Sequence, residues 1–335
     1  MTIPASIHHL AAGLLITLLA APALGDDLDP ALVYALGAKF DKSFNEAAHT
    51  GAERFRADTG IAYRDVETTM AVQREQTLRR LAERGHDPIV VIGFGQAAAL
   101  AAVAAEFPDT RFTLVDAVVE RPNVRSVVFR EHEGAFVVGA LAAMASRTGI
   151  IGFVGGMDIP LVRRFACGYA QGAKHIDPDI RVLQNMAGTT QAAFNDPATG
   201  KELGRSQLDR GADVIFAAAG STSFGTHQAV VEAGELLIGV DSNQNHLHPG
   251  YFLTSLLKRV DNAVYDSFMA ARAGTWEPGV QSLGIKEGGM DWALDQHNRA
   301  LVTPAMEETA GRLSAGIARG ELPVHDYMSD GRCPH

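Results

Sequence analysis

Short runs of aliphatic and β-branched residues alternate along this chain with longer stretches whose apolar positions recur every three or four residues. Residues 32–36 predict a strand, and 43–59 a helix carrying Ala47, Ala48, Gly51, Ala52 and Phe55 on one face. A helix over 72–84 closed by Gly85, a strand over 89–93, an alanine-rich helix over 96–106 and a strand over 112–115 follow. The pattern then restarts: helix 134–147, strand 150–154, helix 161–174, strand 181–184, helix 200–210, strand 214–217, helix 223–233 and strand 236–240. A last helix is predicted over 260–272, before a less regular tail. Strands that are apolar throughout, each followed by a helix, describe parallel sheets covered on both faces. The pattern therefore predicts an α/β protein with two doubly wound, Rossmann-like halves facing across a cleft. In such sheets ligands sit beyond the carboxyl ends of the strands.

One apolar stretch lies outside this alternation. Residues 10–21 are interrupted only by Gly13 and Thr17, and Ala21-Pro22-Ala23-Leu24-Gly25 and the acidic pair Asp26-Asp27 follow. A dozen residues fall short of the roughly 20 that span a bilayer core, but they fit the apolar region of a signal peptide cleaved near Ala23 or Gly25. The segment before it has no Lys or Arg, which leaves an uncleaved amino-terminal anchor as the alternative. No cysteine sits near the cleavage point to carry a lipid. The expected mature form, 26–335, is soluble, does not insert in the membrane, and carries the whole net charge of −10. That balance excludes a nucleic-acid surface, which needs clustered basic residues. Cys167 and Cys333 are the two cysteines. They fit either a disulfide formed in an oxidising compartment or, for Cys167 beside Phe165 and Tyr169, a small buried residue.

The candidate chemistry collects at the predicted strand ends: Lys39-Phe40-Asp41-Lys42-Ser43-Phe44-Asn45 after the first, Asp116 after 112–115, Phe216 and Gly220 around 214–217, Asp241 after 236–240, and Lys258 beyond Thr254-Ser255. A single acid at a strand end is ordinarily a cap or a hinge hydrogen bond; recurrence at successive ends points to a binding site. Catalytic motifs are missing. No Gly-x-Ser-x-Gly elbow frames Ser43, Ser221 or Ser255, and the glycines of 149–156 flank a strand where a dinucleotide loop would need them between strand and helix. His246 and His248 read as loop residues and not as metal ligands. No cofactor or metal is expected.

Six ordered stretches are similar to the basic membrane protein family of ABC-transporter receptors, above all to its PnrA-like purine nucleoside receptors. They are Asp41-Lys42-Ser43-Phe44-Asn45, Val115-Asp116-Ala117-Val118-Val119, Glu133-Gly134-Ala135-Phe136, Gly152-Phe153-Val154-Gly155-Gly156, Ile238-Gly239-Val240-Asp241 and Leu253-Thr254-Ser255-Leu256-Leu257-Lys258-Arg259. The resemblance implies a type I periplasmic-binding-protein fold with a three-crossing hinge. Its expected lobes are 26–130 with 242–280 and 131–241 with 281–335. It also implies binding without turnover in the periplasm, and permease subunits as partners. Carried over, Phe44 and Phe216 would sandwich the base, Asp116 would line its edge, Asp241 and Lys258 would read the ribose, Gly220 would let the backbone approach the sugar, and Asn45 would join them as a ligand-binding residue. Ala35 and Phe40 stand where these receptors often carry acids, and Gly220-Ser221 where they carry a glycine pair. Guanosine, inosine and adenosine therefore remain unseparated. A nucleoside-cleaving enzyme and a sugar receptor of the same fold are the competing readings.

Overall fold

Two six-stranded sheets organise the protein in the computed structural model, which describes residues 1–2 and 28–334. The segment read as a signal peptide, with Ala23 and Gly25, lies outside the described residues. In chain order the elements are β1 (Ala31–Val33), α1 (Phe44–Thr59), β2 (Arg64–Val66), α2 (Arg74–Glu83), β3 (Ile89–Ile92), α3 (Ala97–Glu106), β4 (Phe112–Val115) and β5 (Val124–Phe129). Then come α4 (Glu131–Ala145), β6 (Ile150–Met157), α5 (Pro160–Ile176), β7 (Arg181–Gly188), α6 (Pro197–Leu208), β8 (Val214–Ala218), α7 (Ser223–Ala233) and β9 (Leu236–Asp241). The chain closes with β10 (Phe252–Lys258), α8 (Val260–Arg272), β11 (Gly279–Leu283), β12 (Met290–Trp292), α9 (Pro304–Ala318) and α10 (Tyr327–Asp330).

The first sheet has the order β11-β5-β4-β3-β1-β2 and is parallel throughout. The second has the order β12-β10-β9-β8-β6-β7, with only β12 antiparallel. Both sheets reverse direction beside their first strand, at β1/β3 and at β6/β8. In open α/β sheets a ligand crevice lies at such a switch point of the strand order. Central strands β1, β3, β4 and β8 are buried at every position, which is why they read as unbroken apolar runs.

The chain passes between the sheets three times, between Phe129 and Glu131, between Lys258 and Val260, and between Leu283 and Met290. Arg130 ties the first passage to the third: its guanidinium donates to Glu133, to the Ser282 carbonyl at 2.9 Å and to Glu287. The expected lobe boundaries need correction. Residues 242–258 belong to the second lobe, because β10 pairs with β9 from Phe252 to Leu257. Residues 281–283 belong to the first lobe, because β11 pairs with β5.

Helices α4 and α5 cover one face of the second sheet in backbone contact. A Cβ at Gly172 would sit 1.8 Å from the Phe136 carbonyl oxygen, and one at Gly139 would sit 2.0 Å from that of Tyr169. Only glycine admits this approach. The cysteines are joined: Cys167 on α5 forms a disulfide with Cys333, with their Cα atoms 5.6 Å apart. Of the two readings of Cys167, both apply, since it is buried as well as paired.

Candidate ligand-binding site

A cavity of about 890 Å³, counting its open mouth, lies between the lobes at the two switch points. Its walls come from the ends of β3, β4, β8, β9 and β10 and from the start of α1. Local chemistry explains how each side chain arrives there. Asp41 is buried and accepts the backbone N–H groups of Ser43, Asn45 and Glu46 at 2.9, 3.0 and 3.1 Å. These are donors that the first turn of a helix leaves free, so α1 is fixed at its first residue, Phe44, whose ring faces the cavity. Asn45 forms part of the wall, but its side chain is committed elsewhere. Its Oδ1 accepts from the Ala35 N–H at 3.0 Å, and its Nδ2 donates to the carbonyls of Ala35 and Ala38 at 3.3 and 3.2 Å. Asn45 thus shapes the 35–38 loop.

Asp116 and Asp241 each leave a strand with left-handed backbone, φ 72° and 63°. That conformation is uncommon without glycine, though Asp tolerates it better than most residues, and it clusters at functional sites. Lys258 stands between the lobes with its side chain only 2% exposed. Its Nζ donates to Asp116 Oδ2 at 2.7 Å and lies 2.9 Å from Glu131 Oε1. The same ammonium sits 5.1 Å from the centre of the Phe44 ring, a cation–π distance. Asp116 Oδ1 has no protein partner among the described residues. Asp241 accepts from the Ser43 hydroxyl at 2.5 Å.

Removal from water pushes the Asp241 carboxyl up to about 6 against the pull of Lys258, and raises Asp116 in the same way. Burial alone would lower Lys258, but Asp116, Glu131 and Asp241 together hold its ammonium above the ordinary lysine range. The site is therefore a buried cation among three acids, with free acceptor capacity facing the cavity.

Phe216 does not line this cavity. It is wholly buried, with ring centres 5.4 Å from Phe153, 5.4 Å from Tyr169 and 6.4 Å from Phe165. Residues two apart on a strand share a face, and Ala218 occupies the cavity end of that face, leaving Phe216 one layer deeper. The second lobe instead supplies Phe194 and Phe165. Phe194 ends the turn Gln191–Phe194 that precedes α6, where Asp196 caps the helix through the Thr199 N–H at 3.1 Å. The run Phe194-Asn195-Asp196-Pro197, a helix start with an aromatic ahead of it, was the available sequence signal. Gly220, at φ 55°, lines the cavity, and a Cβ there would lie 3.1 Å from the Phe194 carbonyl oxygen. Phe40, 59% exposed, points away and packs edge-on against His49.

The lobes meet around the cavity. On one side Arg74 Nη2 donates to Gln191 Oε1, and the Phe94 and Phe194 rings lie 6.4 Å apart. On the other, Ser242 Oγ donates to the Ser43 carbonyl at 2.8 Å and Gln244 Nε2 to the Lys42 carbonyl at 2.9 Å. This is a closed form.

The family model of PnrA-like ABC-transporter substrate-binding proteins, the Bmp family, matches residues 31–317. The chain belongs to that family. A lipoprotein of Pyrococcus furiosus is 35% identical over 291 residues, 81% of this chain and 71% of the relative. The ABC transporter nucleoside-binding protein BmpA of Lactococcus lactis is 28% identical over 321 residues, 89% of each chain. Among solved structures, an ABC-transporter solute-binding protein of Aeropyrum pernix superposes with a TM-score of 0.80 at 28% identity, covering 88% of this chain and 92% of the other. This Bmp protein is thus a substrate-binding component of an ABC transporter with the type I periplasmic fold, and its family and neighbours are receptors and not enzymes. Lipoproteins and solute-binding proteins as relatives agree with a place outside the cytoplasm. No helix among the described residues is long and apolar enough to cross a membrane.

Proposed function

We propose that this protein captures a purine nucleoside (guanosine, inosine or adenosine) in the periplasm, closes over it, and delivers it unchanged to the permease subunits of an ABC importer. The observation that carries the reading is Lys258, buried between Asp116 and Glu131 beside Asp241, at the end of a cavity that draws aromatic rings from both lobes. Phe44 of the first lobe and Phe194 of the second can hold a base between them, each ring worth roughly 1–3 kcal/mol of stacking. Bridging the lobes with one flat ligand couples binding to closure. Asp116 Oδ1 is a free acceptor for a base N–H, and Asp241 with Lys258 offers acceptor and donor to a vicinal diol. In the cavity wall the acids Asp41, Asp116 and Asp241 outnumber the cations Lys258 and Arg74, which suits a neutral polyol better than a phosphate and favours a nucleoside over a nucleotide.

Calorimetry and thermal shift against nucleosides, free bases, pentoses and amino acids test this. A nucleoside at 100 times its dissociation constant adds about 2.7 kcal/mol, a rise in Tm of about 5–11 °C. A shift by pentoses without one by nucleosides sinks the purine reading. Release of hypoxanthine from inosine at appreciable turnover sinks the receptor reading.

A further inference from the structure

A buried chain of alternating charges runs from the cavity to the carboxy-terminal tail. Lys258 Nζ lies 2.9 Å from Glu131 Oε1, and Glu131, wholly buried, accepts at Oε2 from Arg164 Nη1 at 2.9 Å. The Arg164 guanidinium then forks onto both oxygens of Asp326, Nε to Oδ1 at 2.7 Å and Nη2 to Oδ2 at 2.5 Å. Bidentate pairs of this kind fix geometry as well as charge. The tail that carries Asp326 is fastened to α5 on both sides of it. Gln171 exchanges two hydrogen bonds of 2.9 Å with the His325 backbone, and Cys333 is bonded to Cys167. Residues 325–333 also lie beyond the family-matched span of 31–317.

We propose that Asp326 is a positioning residue for the ligand-binding Lys258, acting through Arg164 and Glu131, with the Cys167–Cys333 tether keeping it in place. With Asp326 in place Arg164 has a carboxylate on each side, and Glu131 has a cation on each side. Loss of the Asp326 charge frees the outer half of the guanidinium to turn toward solvent. Glu131 then keeps only the inner Nη1 of Arg164, which the Phe129 carbonyl shares at 2.6 Å, leans more heavily on Lys258 and draws the ammonium away from Asp116. The tail thereby sets how far Lys258 leans toward the ligand, from a part of the chain that touches no ligand.

The proposal rests on the interlobe cavity being the nucleoside site, and two readouts keep the two ideas apart. The first is inosine affinity of the full chain by calorimetry. Asp326→Asn, which keeps the shape and removes the charge, is expected to weaken it about tenfold, while Asp326→Glu restores it to within about twofold. The second needs no ligand: the rate at which acetic anhydride modifies Lys258, read by peptide mass spectrometry. Asp326→Asn is expected to lower that rate severalfold, since Glu131 holds the ammonium deeper and more firmly in its charged form, and Asp326→Glu to return it. The double change Cys167→Ser with Cys333→Ser is expected to act in the same direction and to add little to Asp326→Asn, because both loosen one tether. Failure of the wild-type protein to bind inosine, guanosine or adenosine refutes the nucleoside reading and leaves the acetylation arm to decide this one. Wild-type acetylation rates in Asp326→Asn overturn the proposal, as does equal weakening by the Asn and Glu changes with a parallel fall in Tm.

Discussion

Replacing Lys258 by Met removes the cation that bridges Asp116 and Glu131 and faces Asp241. Methionine keeps the length of the stem, so packing against Phe44, Phe129 and Phe165 is largely retained and the charge is what changes. Removing one partner from a buried ion pair costs about 3–5 kcal/mol, since the remaining charge is left in a poor solvent. At about 2–4 °C per kcal/mol for lobes of this size, Tm falls by about 6–20 °C near pH 7.5. The acids have one escape, which is protonation. Asp241 and Asp41 are already pushed up to about 6 from 3.8. Their folded values are raised, so the stability they contribute is full below about pH 4 and is lost as pH rises through about 6. Without Lys258 the neighbouring acids Asp116 and Asp241 take up protons at higher pH still, and the cost shrinks on acidification. Scanning calorimetry of wild type and Lys258→Met should show the gap near pH 5 reduced to less than half of its value near pH 7.5. A gap that does not change with pH, or one below about 3 °C near pH 7.5, refutes the charge argument.

Phe194→Ala and Phe44→Ala should each weaken nucleoside binding at least about tenfold, as the loss of one stacked ring requires, with a small change in Tm; Phe216→Ala should do the reverse, costing about 3–5 kcal/mol of stability as a core ring does. Equal affinity losses at Phe194 and Phe216, by calorimetry on the folded fraction, would return Phe216 to the site. His227 is buried against Phe252 with neither ring nitrogen hydrogen-bonded among the described residues, and burial pushes it down to about 3. Its lowered folded value means stability is present above about pH 6.5 and lost toward pH 3, so the Tm advantage of His227→Leu should widen from pH 7 to pH 4.5; a constant difference would contradict this. Gly172→Ala drives a methyl into the Phe136 carbonyl, and a loss below about 1 kcal/mol in denaturant melts would show that α4 and α5 can slide apart freely.

What the sequence disclosed and what it hid follow one physical division. The parallel sheets were legible because β1, β3, β4 and β8 are buried on both faces and so are apolar at every position. The strands that escaped notice are those whose polar residues find partners only after folding. In β10 the Thr254 hydroxyl donates to the Ala293 carbonyl at 2.8 Å and the Ser255 hydroxyl to Asn245 at 2.9 Å. The pattern around them reads as loop, and the lobe boundary was drawn too early for that reason. β11 and β12 are short edge strands that exist only through pairing with β5 and β10, so no local signal marks them.

The site divides in the same way. Asp116, Asp241 and Lys258 could be placed at the cavity from the sequence because strand ends are fixed by the sheet, and the sheet is readable. Phe216 lies in β8, next to a strand end that the pattern marks, whereas Phe194, which does line the cavity, lies on the turn after β7 with α6 still to come. Strand periodicity alone already favoured Ala218 over Phe216 for the last cavity-facing position. What periodicity could not supply was Phe194, since it reaches the cavity on a turn outside the sheet and meets Phe94 only where the lobes close. Groups that belong to one sheet can be located from its pattern; groups that belong to the closed cleft depend on two lobes at once. Phe194, Arg74 and Gln191 are all of that second kind, since each lines the cavity and makes a contact that exists only where the two lobes meet.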